Sequence, residues 1–168
     1  ETCANIGNML FNWRMLEVTG DAKYAELVET CLYNSVLSGI SLDGKRYFYT
    51  NPLRISTDLP YTLRWPKERT EYISCFCCPP NTLRTLCQAQ NYAYTLNDEG
   101  IYCNLYGANT LTTHWKDKGE IVLTQETDYP WDGNVRVRLN KLPRKAGAFS
   151  LFFRIPEWCE KATLTVNG

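Results

Sequence analysis

The sequence has little of several things. It holds one histidine, His114, and two methionines. With no second histidine to support it, His114 reads as a surface or packed residue, not as a ligand. There is no charge excess: 18 basic and 18 acidic side chains leave a formal net charge of zero. That argues against a nucleic-acid partner, which wants a basic excess or stripe. No apolar run approaches the roughly 20 residues that span a bilayer, so no membrane partner is expected. No secretory leader, internal repeat or low-complexity tract is visible. The first residue is Glu1, not Met, so a processed or excerpted sequence is expected, and its compartment and oligomeric state are left open.

What is present is a folded chain. Hydrophobic residues make up 44% and charged residues 21% of the 168 positions, which excludes a disordered segment. The length allows one or two domains of roughly 100–200 residues each. Eight cysteines are unusual, and their distribution matters more than their number. Cys75, Cys77 and Cys78 fall within four residues. Adjacent cysteines rarely bridge each other, so the cluster reads first as reduced thiols for metal or chemistry.

The first 40 residues read as an αα-hairpin. Ile6, Met9, Leu10, Trp13 and Leu16 recur at helical spacing. Gly20 then suits a helix C-terminus and Asp21 the next N-cap. Tyr24, Leu27, Val28, Cys31, Leu32 and Val36 line a second helix that ends near Gly39. Residues 40–73 change character. Ser41-Leu42-Asp43-Gly44 is a turn, Tyr47-Phe48-Tyr49 is extended, and Arg54 to Tyr72 reads as a long loop of the kind that is often functional. Pro79 and Pro80 suit a helix's first turn and Asn81 is a good N-cap, so a third helix is expected from about Thr82 to Tyr94, with Leu83, Leu86, Cys87, Gln90 and Tyr94 on one side. From Gly100 the period changes to two. Strands are expected at 101–106, 121–123, 135–139, 149–153 and 162–166, a spacing that suggests an antiparallel sandwich. The boundary falls at Leu96 to Gly100, giving domains 1–96 and 97–168. The three helices are too few to close a good core, and Asn167-Gly168 is a turn pair, so further chain is expected at both ends.

The chemistry-bearing residues are Glu1, Cys3, Cys77 and Cys78. Zinc takes thiolate and carboxylate ligands, four in a structural site, and these residues supply one carboxylate and three sulfurs. Residues two apart point to nearly opposite sides of a helix. Glu1 and Cys3 therefore share a metal only if the chain is non-helical there, and the same holds for Cys77 and Cys78. Both pairs lie just before expected helix starts. A helix N-terminus also stabilises a thiolate, which makes a usable nucleophile. On spacing alone a structural zinc site is as good a reading as a catalytic one, and no C-x2-C pair supports either. Disulfides are the alternative for an exported protein. Cys31, Cys87 and Cys103 sit on apolar faces and read as buried small hydrophobes, while Cys159 has no evident partner. Trp13, Tyr47, Tyr49, Tyr61 and Trp65 could stack on sugar rings, although core and loop anchoring is the simpler reading of each. Tyr47 and Tyr49 are expected on one side of their extended segment.

The blocks Glu1-Thr2-Cys3-Ala4, Gly20-Asp21-Ala22-Lys23-Tyr24-Ala25, Leu32–Gly39, Ser41-Leu42-Asp43-Gly44, Phe48-Tyr49-Thr50-Asn51-Pro52-Leu53 and Cys75-Phe76-Cys77-Cys78-Pro79-Pro80-Asn81 occur in that order. Together they resemble glycoside hydrolase family 127, the β-L-arabinofuranosidases. The resemblance is dense in the helical part and reaches Tyr102–Tyr106. It implies an α+β multidomain fragment: the C-terminal helices of an (α/α)6 toroid, then a truncated antiparallel β-sandwich. It also implies a Zn2+ cofactor held by Glu1, Cys3, Cys77 and Cys78, with Cys77 as a nucleophile that forms a thioglycosyl intermediate and gives net retention. Tyr49 would approach the nucleophile or the sugar, and Cys75 would lie nearby without binding metal. The implied substrate is a terminal β-L-arabinofuranoside. The implied acid/base Glu and the sugar-binding histidines lie upstream of Glu1, so the isolated chain is expected to be inactive. Two rivals are a non-catalytic zinc module and a carbohydrate-binding sandwich.

Overall fold

A computed structural model describes all residues except 52, 53, 55, 59–61, 116–118 and 143–146. The expectations for Pro52, Leu53 and Tyr61 lie outside the described residues. The chain divides into two compact units, Glu1–Asn91 and Tyr92–Gly168. No helix among the described residues is long and apolar enough to cross a membrane.

The first unit opens with helix α1, Thr2–Thr19. Gly20 closes it in the left-handed conformation at φ 69°, and its N–H reaches Leu16 O at 2.8 Å, a role glycine takes without strain. Asp21 caps helix α2, Ala22–Cys31, by accepting from Lys23 N at 3.0 Å. The helical path continues through a π-turn at Leu32–Val36 and a 3-10 turn at Leu37–Gly39. Ile6, Met9, Trp13 and Leu16 of α1 are buried, as are Ala25, Val28, Cys31, Leu32 and Val36 of the second helical run. Leu10 and Leu27, expected in the apolar stripe, are both 42% exposed. Trp13 is a core residue rather than a sugar platform.

Helix α3 runs Cys78–Gln88, four residues earlier than the expected start at Thr82. Pro79 and Pro80 explain the difference. They lack N–H groups in the first turn, where those groups have no intrahelical partner anyway. Asn81 is therefore not the N-cap. The buried face of α3 is Cys78, Thr82 and Thr85, while Leu83 is 50% exposed and Cys87 is exposed. Small residues line this face because α3 packs against α1. The expected Leu83/Cys87 face and the burial of Cys87 are thus both corrected.

Among its described residues, the second unit holds two three-stranded sheets, ordered β1-β2-β6 and β3-β4-β5. The strands are β1 Tyr94–Leu96, β2 Gly100–Cys103, β3 Asn109–His114, β4 Glu120–Glu126, β5 Arg136–Lys141 and β6 Ser150–Phe153. Ile101, Trp115 and Ile121 form a buried cluster that draws in Tyr94, Leu111, Phe149 and Leu151, so both sheets contribute to one core. Two expectations change. The arrangement is not wholly antiparallel, because β6 pairs parallel with β2, with Ile101 opposite Leu151. Residues 162–166 do not form a strand. Leu164 and Val166 are 73% and 77% exposed, with no strand beside them among the described residues to satisfy their backbone.

Candidate metal-thiol site

The site lies within the first unit, where the starts of α1 and α3 meet. Glu1 is the N-cap of α1 and Cys3 lies in its first turn. Cys77 is the N-cap of α3 and Cys78 is its first residue. The expectation that both pairs precede their helices is met only by Glu1 and Cys77, which stand at the cap positions just outside them. Each pair converges because one member is a cap and the other is helical. The side-chain oxygen and sulfur atoms of Glu1, Cys3, Cys77 and Cys78 all lie within 4.8 Å of one another. Cys3 Sγ and Cys77 Sγ are 3.1 Å apart, and the Cys77 thiol donates to Glu1 Oε1 at 4.0 Å.

This crowding has an electrostatic signature. Its hydrogen bond with Cys3, then desolvation, raises the Cys77 thiol above the ordinary thiol range. Burial first, then Cys3, pushes Cys78 up to about 12. Three sulfurs and a carboxylate this close cannot all carry negative charge without a cation. A dication among them reverses that balance. The four groups could together hold a metal ion. All eight cysteines are free, so no disulfide competes for them.

Tyr49 is brought to the same place. Its carbonyl accepts from Thr2 N at 3.0 Å, and Thr2 Oγ1 donates to Phe48 O at 3.3 Å. These bonds tie the extended segment to the first turn of α1, whose N–H groups need outside partners. Phe48 N also donates to Gly39 O at 2.9 Å, and the Arg69 guanidinium lies 4.6 Å from the Phe48 ring. The Tyr49 hydroxyl is 3.8 Å from Cys75 Sγ, and its ring stacks on Trp65 at 4.2 Å. Hydrogen bonding to Cys75 foremost, then desolvation, then Cys77, raises the Tyr49 phenol well above its ordinary value. Tyr47 turns to a different task, donating to Gly44 O at 3.1 Å.

The remaining candidates are elsewhere. Cys31 is buried beside Asn8, whose Nδ2 donates to its sulfur at 3.5 Å. Cys103 is buried in β2. His114 sits on β3 opposite Glu120 of β4. Two contributions escape the sequence reading. One is the contact from Asn81 Nδ2 to Cys3 Sγ, at 3.0 Å, and the other is that Trp65, a loop-anchoring candidate by sequence, anchors Tyr49 in particular. Asn81 closes the Cys-x-Cys-Cys-Pro-Pro-Asn block, a signal that an N-cap reading alone had absorbed.

Residues 1–91 match the family model described as "Beta-L-arabinofuranosidase, GH127 catalytic domain", and residues 100–168 match the GH127 middle domain. The chain therefore belongs to glycoside hydrolase family 127. It is 35% identical over 176 residues to a non-reducing end β-L-arabinofuranosidase of Bifidobacterium longum subsp. longum, aligning over 100% of this chain and 26% of that protein. The crystal structure of a GH127 β-L-arabinofuranosidase from Geobacillus stearothermophilus T6 superposes with a TM-score of 0.88 at 39% identity, over 100% of this chain and 26% of that one. Another solved glycoside hydrolase is 92% identical, with a TM-score of 0.91 over 96% of this chain and 26% of its own length. The chain thus spans about a quarter of the length of these relatives.

Proposed function

We propose that this chain carries the zinc-and-nucleophile half of the active site of a retaining β-L-arabinofuranosidase. The observation behind the reading is the convergence of Glu1, Cys3, Cys77 and Cys78 within 4.8 Å. The donor set suits zinc: a tetrahedral site with Zn–S bonds of about 2.3 Å separates its sulfurs by about 3.8 Å. The Cys3–Cys77 sulfur contact here, 3.1 Å, is somewhat shorter than that spacing, and all four donor atoms lie within 4.8 Å of one another. The B. longum and G. stearothermophilus relatives, both named as β-L-arabinofuranosidases, support the substrate class, a terminal β-L-arabinofuranoside. Residues 1–96 would be the C-terminal helices of an (α/α)6 toroid, and 97–168 the start of a β-sandwich.

Bound zinc supplies charge that keeps the three sulfurs deprotonated and fixed at neutral pH. Cys77 then plays the part that a second carboxylate plays in most retaining glycosidases. Its sulfur attacks the anomeric carbon, forming a C–S bond as the bond to the leaving oxygen breaks. That oxygen takes a proton from the general acid, which the family resemblance assigns upstream of Glu1. Water, deprotonated by the same group, attacks the anomeric carbon next. The C–S bond breaks, the thiolate returns, and two inversions give net retention. Tyr49, held by Trp65 and by the start of α1, orients the sugar or the sulfur. Cys78, fully buried, serves as a fixed ligand.

The test is hydrolysis of an aryl β-L-arabinofuranoside by the intact protein and its Cys77→Ser variant. The reading expects a folded variant with no turnover. A Cys77→Ser enzyme that retains activity would refute it.

A further inference from the structure

Cys3 and Cys77 are alike in chemistry and lie 3.1 Å apart, yet their surroundings differ. Asn81 Nδ2 donates to Cys3 Sγ at 3.0 Å. On the other side of the amide, Asn81 Oδ1 accepts from Arg84 Nη1 at 2.8 Å. The Arg84 contact fixes which way the amide faces. A flipped amide would set its NH2 against a guanidinium and its oxygen against the sulfur. The backbone holds the residue as well, through Asn81 N to Cys77 O at 3.2 Å and Thr85 Oγ1 to Asn81 O at 2.8 Å. The Cys77 sulfur interacts with Cys3, Cys78, Tyr49 and Glu1, and none of those side-chain partners is an amide.

An N–H donor draws electron density off a thiolate and fixes its direction. The guanidinium polarises the amide and strengthens the effect. We infer that Asn81, oriented by Arg84, is a positioning residue that fixes Cys3 as a metal ligand of damped nucleophilicity and leaves Cys77 as the more electron-rich, more nucleophilic sulfur. This rests on the metal reading proposed above and adds a reason for the division of labour between two equivalent thiols.

The probe is Co2+ bound to the intact protein, because its sulfur-to-metal charge-transfer absorption reports on the sulfur electrons directly. Asn81→Asp preserves shape and the Arg84 contact but removes the N–H donors. Arg84→Gln changes an exposed residue and leaves Asn81 in place. The expected result is a charge-transfer band at lower energy in Asn81→Asp, with Co2+ affinity reduced about 10–100-fold. Arg84→Gln should move the band in the same direction by less. With zinc restored, kcat should fall in both variants while KM stays near wild type. If both variants keep the wild-type band and affinity, the inference is overturned. If Asn81→Asp fails to fold by circular dichroism, Arg84→Gln decides between the same two results. Failure of the wild-type protein to bind Co2+ would instead remove the metal reading itself, and the two failures are distinct.

Discussion

Replacing Cys78 by Ala separates packing from metal binding at the site. Cys78 is fully buried at the first position of α3. Without metal, the change removes one sulfur from a packed position, a loss comparable to a buried methylene, about 1 kcal/mol. With metal, the site also loses one of four donors. Changes outside the ligand shell already weaken metal affinity by up to about 100-fold, so loss of a ligand should cost at least that. At free zinc of about 1,000 times the dissociation constant, binding contributes about 4.1 kcal/mol to stability. A roughly 100-fold weaker site retains about 1.4 kcal/mol at the same zinc, a difference of about 2.7 kcal/mol. The variant should therefore lose about 1 kcal/mol in chelator and almost 4 kcal/mol in zinc. At about 2–4 °C per kcal/mol for a chain of this size, that is a Tm deficit of about 3 °C against one of about 7–15 °C. Paired melts of wild type and variant, in chelator and in zinc, measure both. Equal deficits in the two conditions would refute a metal held by Cys78.

Three further outcomes follow from particular contacts. A Cβ on Gly100 would lie 2.0 Å from Ser150 O, so Gly100→Ala must push β6 from β2; amide exchange should accelerate in Gly100–Cys103 and Ser150–Phe153, and unchanged protection there would count against the pairing. Burial raises the Cys103 thiol from an ordinary 9.0 to about 12, so the folded state holds its proton more tightly than the unfolded chain. That stability is complete below about pH 9 and is lost as pH rises toward about 12; melts across this range should show a steeper alkaline decline in wild type than in Cys103→Ala. Trp65→Ala removes the ring under Tyr49 and should lower kcat on the order of 10²-fold at nearly unchanged metal content, whereas unchanged kcat would discount Tyr49 as an orienting residue.

Some of this was legible from residue order alone. Gly20 and Asp21 state a stop and a start, and both act through local backbone geometry. The four donors were legible as a chemical set, because metal-ligand types are few and two short blocks contain them. The geometry that joins them was less so. Asn81 is a good N-cap residue, and it masked a helix that begins at Cys78 because prolines tolerate the first turn. The apolar periodicity of Leu83, Leu86 and Cys87 pointed to one face, but contact with α1 selects the small face of Thr82 and Thr85. The parallel pairing of β6 with β2 joins residues fifty positions apart, which alternation along either strand cannot specify. The Asn81–Cys3 contact likewise spans 78 positions.

Metal content of the intact protein tests the central claim most directly. Elemental analysis of the reduced protein, beside Cys3→Ala and Cys77→Ala variants of equal helicity, should give about one zinc per chain in wild type and a clear loss in both variants. A folded wild type without zinc, or variants that keep a full equivalent, would contradict the account.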